Sequence, residues 1–193
     1  MKSDVYSLIL AAGASRRFQG CKQLARFRGQ TLIARAIAQA EALTPGRVHL
    51  VLGARAEEIK NHCADELKQY SPSVVYCADW QEGMGHSLSE GINSLPAEAA
   101  AVIILLSDQV KVSLDQLQTL KDTWQSLDSS CQNTAIVCAE YEGSVGVPAL
   151  FPTHYFDELR HSSGDRGAKK ILTSYAKALI KVGMAEAAID IDT

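Results

Sequence analysis

The stretch VYSLILA (Val5–Ala11), followed at once by AGASRRFQGCKQL (Ala12–Leu24), decides how the rest of the chain is read. Seven largely apolar residues without polar alternation describe a strand covered on both faces, the environment of a parallel sheet. The small residues, glycines and arginines that follow cannot continue the strand, so they form a loop at its carboxyl end. The same kind of run recurs at Val48–Gly53 (VHLVLG), Ser73–Ala78 (SVVYCA), Val102–Leu106 (VIILL) and Ala135–Ala139 (AIVCA).

Helical patterns separate these runs. Leu32–Leu43 places Leu32, Ile33, Ala36, Ile37, Ala40 and Leu43 on one stripe. Arg55–Tyr70, His86–Ser94 and Ser113–Leu127 supply further helices, the last with Ser113 as N-cap before Leu114, Leu117 and Leu120. Later, Glu142–Pro148 reads as a glycine-containing loop. Thr153–Leu159 and Asp165–Ala176 read as helices, and Ala178–Val182 as a short apolar stretch. No repeat or linker divides the chain, so residues 1–193 are expected to form one domain. The β-α-β-α order predicts a doubly wound, three-layer α/β/α, Rossmann-like fold with a mainly parallel sheet. Ligands of such folds bind at the carboxyl ends of the strands, near a switch in strand order.

Composition narrows the function. The chain has 193 residues, 47% hydrophobic and 21% charged, with a net charge of -3. That balance argues against a general nucleic-acid or anionic-membrane binder. Its five cysteines are scattered without a CxxC pair, which supports neither a zinc site nor a redox motif. With no signal peptide and no apolar run near the roughly 20 residues of a membrane span, a cytoplasmic protein with reduced thiols is expected. One local feature departs from the average. Val5–Ala40 holds no Asp or Glu but carries Arg16, Arg17, Lys22, Arg26, Arg28 and Arg35. This segment is either a dock for a small anionic ligand or a solvated basic face.

The loop itself favours an anion. Ala11, Ala12, Gly13 and Ala14 let the backbone approach a ligand and turn N–H groups toward phosphate oxygens, with Ser15 close behind. Arg17 and Lys22 can neutralise the charge, one as a planar fork and the other as a point charge. Neither the P-loop GxxxxGK[ST] nor the dinucleotide GxGxxG is present. An ordinary glycine turn with exposed arginines is the competing reading. Further on, Val102–Leu106 runs directly into Ser107, Asp108 and Gln109. A carboxylate ending a buried strand calls for a cation, and Mg2+ commonly takes one or two carboxylates plus substrate phosphates. An Asp capping the next helix is the alternative.

Leu10–Leu24 resembles the LAAGxSxRxGxxKxL signature of the MobA-like nucleotidyltransferases, with Gly13, Ser15, Arg17, Lys22 and Leu24 matching. Gln19 stands where that signature has glycine. Ser107-Asp108-Gln109-Val110 is similar to the family's ADQP stretch, with Val110 replacing proline, and Ile189–Thr193 (IDIDT) is similar to its DIDTPEDL ending. The resemblance implies a glycosyltransferase-A-like domain in which the loop wraps a nucleoside triphosphate. By it, Arg17, Lys22 and Asp108 serve catalysis, and Asp108 with Asp192 holds Mg2+.

Three further segments resemble the molybdenum cofactor cytidylyltransferases. They are Asp79–Ile92 (DWQEGMGHSLSEGI), Gly146–Phe151 (GVPALF) and Ser163–Lys169 (SGDRGAK). Ala12 agrees, because the guanylyl branch has glycine there and a methyl would crowd a purine. The implied reaction moves CMP from CTP to the terminal phosphate of a molybdopterin-type acceptor, with a molybdoenzyme as eventual recipient. Leu10–Ser15, Lys22, Gly83, Ser87, Gly91 and Asp108 would bind the nucleotide. The helix near His86 would offer N–H groups to it, and Trp80 and Met84 would pack around nucleotide or acceptor. Gln109, Gly146, Pro148, Asp165, Arg166 and Lys169 would bind the acceptor. His86 reads as lining or structural rather than catalytic, since phosphoryl-type transfer depends more on positioning and charge than on a base. A guanylyl- or sugar-phosphate nucleotidyltransferase, or a non-catalytic cofactor carrier of the same fold, are the alternatives.

Overall fold

A computed structural model describes residues 4–15, 18 and 20–189. The strands are β1 (Val5–Ala11), β2 (Arg26–Phe27), β3 (Gln30–Thr31), β4 (Val48–Leu52), β5 (Ser73–Tyr76), β6 (Ala101–Leu106), β7 (Ile136–Tyr141), β8 (Ser144–Pro152) and β9 (Leu179–Gly183). The helices are α1 (Leu32–Leu43), α2 (Ala56–His62), α3 (Ala64–Tyr70), α4 (Met84–Asn93), α5 (Leu114–Gln125), α6 (Ser129–Gln132), α7 (Phe156–Arg160) and α8 (Ala168–Ser174). Among the described residues, seven strands form one sheet in the order β5-β4-β1-β6-β8-β7-β9, and β2 and β3 make a separate hairpin. Only β8 runs against the others: it pairs antiparallel with β6 and β7, while every other pairing in the large sheet is parallel.

The two-residue alternation of a strand builds both cores. From β1, Val5, Ile9 and Ala11 face a layer with Ile33, Ile37 and Leu43 of α1, Ile59 of α2, and Leu117, Leu120 and Trp124 of α5. Tyr6, Leu8 and Leu10 face the opposite layer, with Leu88 and Ile92 of α4, Leu159 of α7 and Leu172 of α8. Leu8 and Ile9 are both fully buried, one on each side. That is why the run shows no polar alternation.

Local chemistry fixes the helix starts. Thr31 caps α1 by accepting from the Ala34 N–H at 3.2 Å. Ser113 caps α5 in a reciprocal capping box with Gln116. Two expectations change. Arg55–Tyr70 is two helices broken at Cys63, where ψ turns to 25°. Glu142–Pro148 is not a loop: only Glu142 and Gly143 turn, and the chain returns from Ser144 as β8. Gly143 supplies the positive φ of 71° that such a turn needs. Among the described residues, no helix is long and apolar enough to cross a membrane.

Candidate active site

β1 is flanked by β4, which follows it through α1, and by β6, which comes later from the other side. This is a switch point, and a cleft of about 660 Å³ opens at its carboxyl end. It is lined by Leu10, Ala11, Ala12, Gly13, Ala14, Ser15, Lys22, Ser87, Asp108 and Asp165, among others.

The loop after β1 is shaped by close backbone approach. The Ala54 N–H donates to the Ala12 carbonyl at 2.9 Å. Gly53 permits this, because a Cβ there would stand 2.7 Å from the Trp80 Cβ and 2.9 Å from the Ala12 Cβ. At Gly13 the situation is reversed: among the described residues, a Cβ would meet no atom within 4 Å. Gly13 therefore borders open space, as a phosphate cradle requires. Ser15 holds a left-handed φ of 50° and accepts from the Phe18 N–H at 2.8 Å, closing the loop. Ala12 lines the cleft and is buried at 3% exposure, part of the apolar layer with Leu10 and Val51.

Opposite this loop, Lys22 and Asp108 meet. Lys22 sits on a single 3-10 turn, Lys22–Leu24, and its Nζ lies 2.8 Å from Oδ2 of Asp108. Asp108 follows β6, and the two side chains are 11% and 26% exposed. Gln23, in the same turn, donates from Nε2 to the carbonyls of Ala11 (3.0 Å) and Gly13 (2.8 Å). Next to it, burial pushes the Cys21 thiol pKa up.

Among the described residues no group of three or more His, Cys, Asp or Glu side chains could hold a metal alone. A single strand-end carboxylate suits Mg2+ that draws its other ligands from phosphate oxygens and water. Arg17 and Asp192 lie outside the described residues. The segment leading to Asp192 is anchored beside Asp108. Gln109 Nε2 donates to the Ala187 carbonyl at 2.9 Å, and Gln116 Nε2 to Glu186 Oε2 at 2.6 Å.

The remaining sequence-predicted residues divide. Gly83, Ser87 and Asp165 reach the cleft, with Trp80 and Met84 beside them. Gly91 does not: it lets α4 lie against β1, where a Cβ would collide with Leu8 at 2.7 Å. Gln109 is buried, its amide held by Val147 and Ala187 rather than facing an acceptor. Gly146 faces the Tyr141 hydroxyl and Pro148 is buried on β8. Arg166 and Lys169 are exposed, outside the cleft lining.

The start of α4 also differs from expectation. The Gly85 N–H is taken by the Gly164 carbonyl at 2.7 Å, and those of His86 and Ser87 turn back to Gly83. The SGDRG loop thus caps this helix. Gly85 makes the contact possible, since a Cβ would stand 2.6 Å from Ser163 backbone. His86 lies outside the cleft lining, 3.7 Å from Glu82 and 4.0 Å from Asp79. Sequence reasoning passed over Gln23, because no motif or periodicity marks a glutamine whose partners are backbone carbonyls.

A sheet covered by helices on both faces, with a glycine loop, a lysine and a strand-end aspartate at its switch point, is consistent with the nucleotidyltransferase class. The chain belongs to the MobA-like NTP transferase domain family, which it matches over residues 7–179. It is 30% identical over 171 residues to the bifunctional protein GlmU of Stenotrophomonas maltophilia, covering 87% of this chain and 33% of that one. The chain thus spans about a third of the length of that relative. It is also 26% identical to the purine catabolism protein PucB of Bacillus subtilis, covering 86% of this chain and 80% of that one. Among solved structures it is similar to Rv0371c of Mycobacterium tuberculosis in complex with manganese. There the TM-score is 0.75 and the identity 22%, over 95% of this chain and 89% of the other.

Proposed function

We propose that this nucleotidyltransferase moves CMP from CTP to the terminal phosphate of a molybdopterin-type acceptor in the cytoplasm. A phosphate oxygen of the acceptor bonds to the α-phosphorus, the bond from that phosphorus to the bridging oxygen breaks, and pyrophosphate leaves. The attacking oxygen is already anionic, so no side chain has to remove a proton. The observation that carries the reading is the convergence of Lys22 and Asp108 at 2.8 Å, 86 residues apart in sequence, opposite the Gly13 loop. Such preorganised charge is what nucleotidyl transfer demands of a protein.

Lys22, with Arg17, offsets the charge that develops on the triphosphate. Leu10–Ser15 cradle it, and Ser87 and Gly83 line the nucleotide's side of the cleft. Asp165, the one acceptor-assigned residue in the cleft lining, meets the acceptor. Asp108, joined by Asp192, would hold Mg2+, which supplies further charge neutralisation at the phosphates. The choice of CTP and of a molybdopterin rests on the sequence resemblances at Ala12, Asp79–Ile92 and Ser163–Lys169. A molybdoenzyme would receive the product.

Calorimetric binding of CTP, GTP, ATP and UTP, each with and without Mg2+, tests this. Tight, Mg2+-dependent binding of CTP alone is expected, followed by pyrophosphate release when the acceptor is added. Preference for another triphosphate would overturn the cytidylyl assignment. Acceptor binding without turnover would make the protein a carrier.

A further inference from the structure

Gln23 is buried, 6% exposed, yet each of its side-chain polar atoms is engaged. Nε2 has two hydrogens, and both go to carbonyls of the loop after β1, at 3.0 Å on Ala11 and 2.8 Å on Gly13. Oε1 accepts from the Cys21 thiol at 3.3 Å, which fixes the orientation of the amide. No shorter polar side chain spans this gap, and no charged one would fit two carbonyl oxygens without burying its charge.

The consequence lies on the far side of those peptides. A trans peptide points its N–H opposite to its carbonyl. Holding the Ala11 and Gly13 carbonyls toward Gln23 directs the N–H groups of Ala12 and Ala14 the other way. Ala12 and Ala14 both line the cleft, and Gly13 between them leaves it open. The same side chain ties the Lys22–Leu24 turn to this loop, so it also sets where Lys22 stands relative to Asp108.

We propose that Gln23 is a positioning residue for triphosphate binding: its amide orients the backbone donors of the loop and fixes the loop to the turn that carries Lys22. This rests on the nucleotidyltransferase reading above and names the residue on which its phosphate cradle depends. Gln23 touches no phosphate itself; it acts through Ala12, Ala14 and Lys22.

The test is Gln23→Met, which keeps length and volume but removes both donors, with Gln23→Glu as the second variant. Binding of the triphosphate that wild type prefers, and of the matching nucleoside monophosphate, is measured by calorimetry alongside Tm. Two lost hydrogen bonds should weaken the triphosphate by about 10- to 100-fold. The monophosphate should change by less than about threefold, because fewer phosphate oxygens reach the loop. Gln23→Glu keeps the length but sets a carboxylate oxygen against both carbonyls, so it should lose at least as much as Gln23→Met, and it gives the same comparison if Gln23→Met does not fold. Equal loss for both ligands together with a lowered Tm would make Gln23 merely structural and overturn the proposal, as would unchanged triphosphate binding. If wild type itself binds no triphosphate, the nucleotidyl reading falls and the cradle with it.

Discussion

The ammonium of Lys22 and the carboxylate of Asp108 lie 2.8 Å apart at the carboxyl ends of neighbouring strands, each partly shielded from water. Lys22 reaches this place because β1 ends in a loop that doubles back through a 3-10 turn. Asp108 reaches it because β6 stops at Leu106. On the proposed function, an incoming triphosphate and its cation would engage both groups.

Asp108→Asn and Lys22→Met should each lower the nucleotidyl-transfer rate by at least about a hundredfold, the scale of one preorganised electrostatic group. The stability change should be modest in Lys22→Met, about 1–2 kcal/mol, because the Asp108 side chain that remains is 26% exposed and reaches water. Pyrophosphate release and urea melts read the two quantities separately. Near-normal turnover in Asp108→Asn would remove Asp108 from the chemistry.

Gly13 and Gly83 border the same cleft but should respond oppositely to a methyl group. At Gly13 nothing among the described residues lies within 4 Å of an added Cβ, so Gly13→Ala should leave Tm nearly unchanged while weakening triphosphate binding. At Gly83 the backbone has φ 105°, and the new Cβ would stand 2.7 Å from Gly164 backbone. Gly83→Ala should therefore destabilise by about 3 kcal/mol or more, adding backbone strain to overpacking. Equal melting curves for the two variants would refute this contrast.

The sequence reveals most where one segment settles its own structure. β1 spans Val5–Ala11 and α1 spans Leu32–Leu43, as their uninterrupted and 3.6-residue patterns demand. β8 was hidden because Gly143, Gly146 and Pro148 are turn formers. Gly146 is instead a strand glycine that makes room for Tyr141, a partner only the fold supplies. The site divides in the same way. The Gly13 loop and Asp108 are contiguous with their strands and could be read in place. The fates of the α4 N–H groups and of Gln109 depend on Gly164, Val147 and Ala187, which lie far away in sequence. Nothing within Met84–Asn93 itself marks that another loop's carbonyl takes the Gly85 N–H.

Ser113 offers a control for stability without function. Its hydroxyl accepts from the Gln116 N–H at 3.3 Å, and Gln116 Oε1 accepts from the Ser113 N–H at 3.0 Å. Ser113→Ala should lower stability by about 1 kcal/mol. Ser113 lies outside the cleft lining, so triphosphate affinity should stay within twofold, roughly the effect of a surface change. Chemical denaturation and calorimetry on one preparation check both. A large loss of affinity would show that α5 is coupled to the cleft.

His49 should make the fold sensitive to mild acid. It is 7% exposed on β4, with Nδ1 2.8 Å from the Ser94 hydroxyl and the Tyr6 ring edge-on at 5.9 Å. Ser94 donates to the Gly91 carbonyl at 2.7 Å, which leaves its oxygen to accept from the imidazole Nδ1–H. Desolvation lowers the His49 pKa below its ordinary 6.5. In the unfolded chain the imidazole is free to take a proton near that ordinary value. Between the two pKa values the unfolded state therefore binds more protons, and stability falls as pH drops through and below about 6.5. His49→Phe keeps an aromatic ring beside Tyr6 and removes the titration. Its urea midpoint should fall less between pH 7 and pH 5 than that of wild type. Parallel declines in the two proteins would mean that other groups, and not His49, set the acid response.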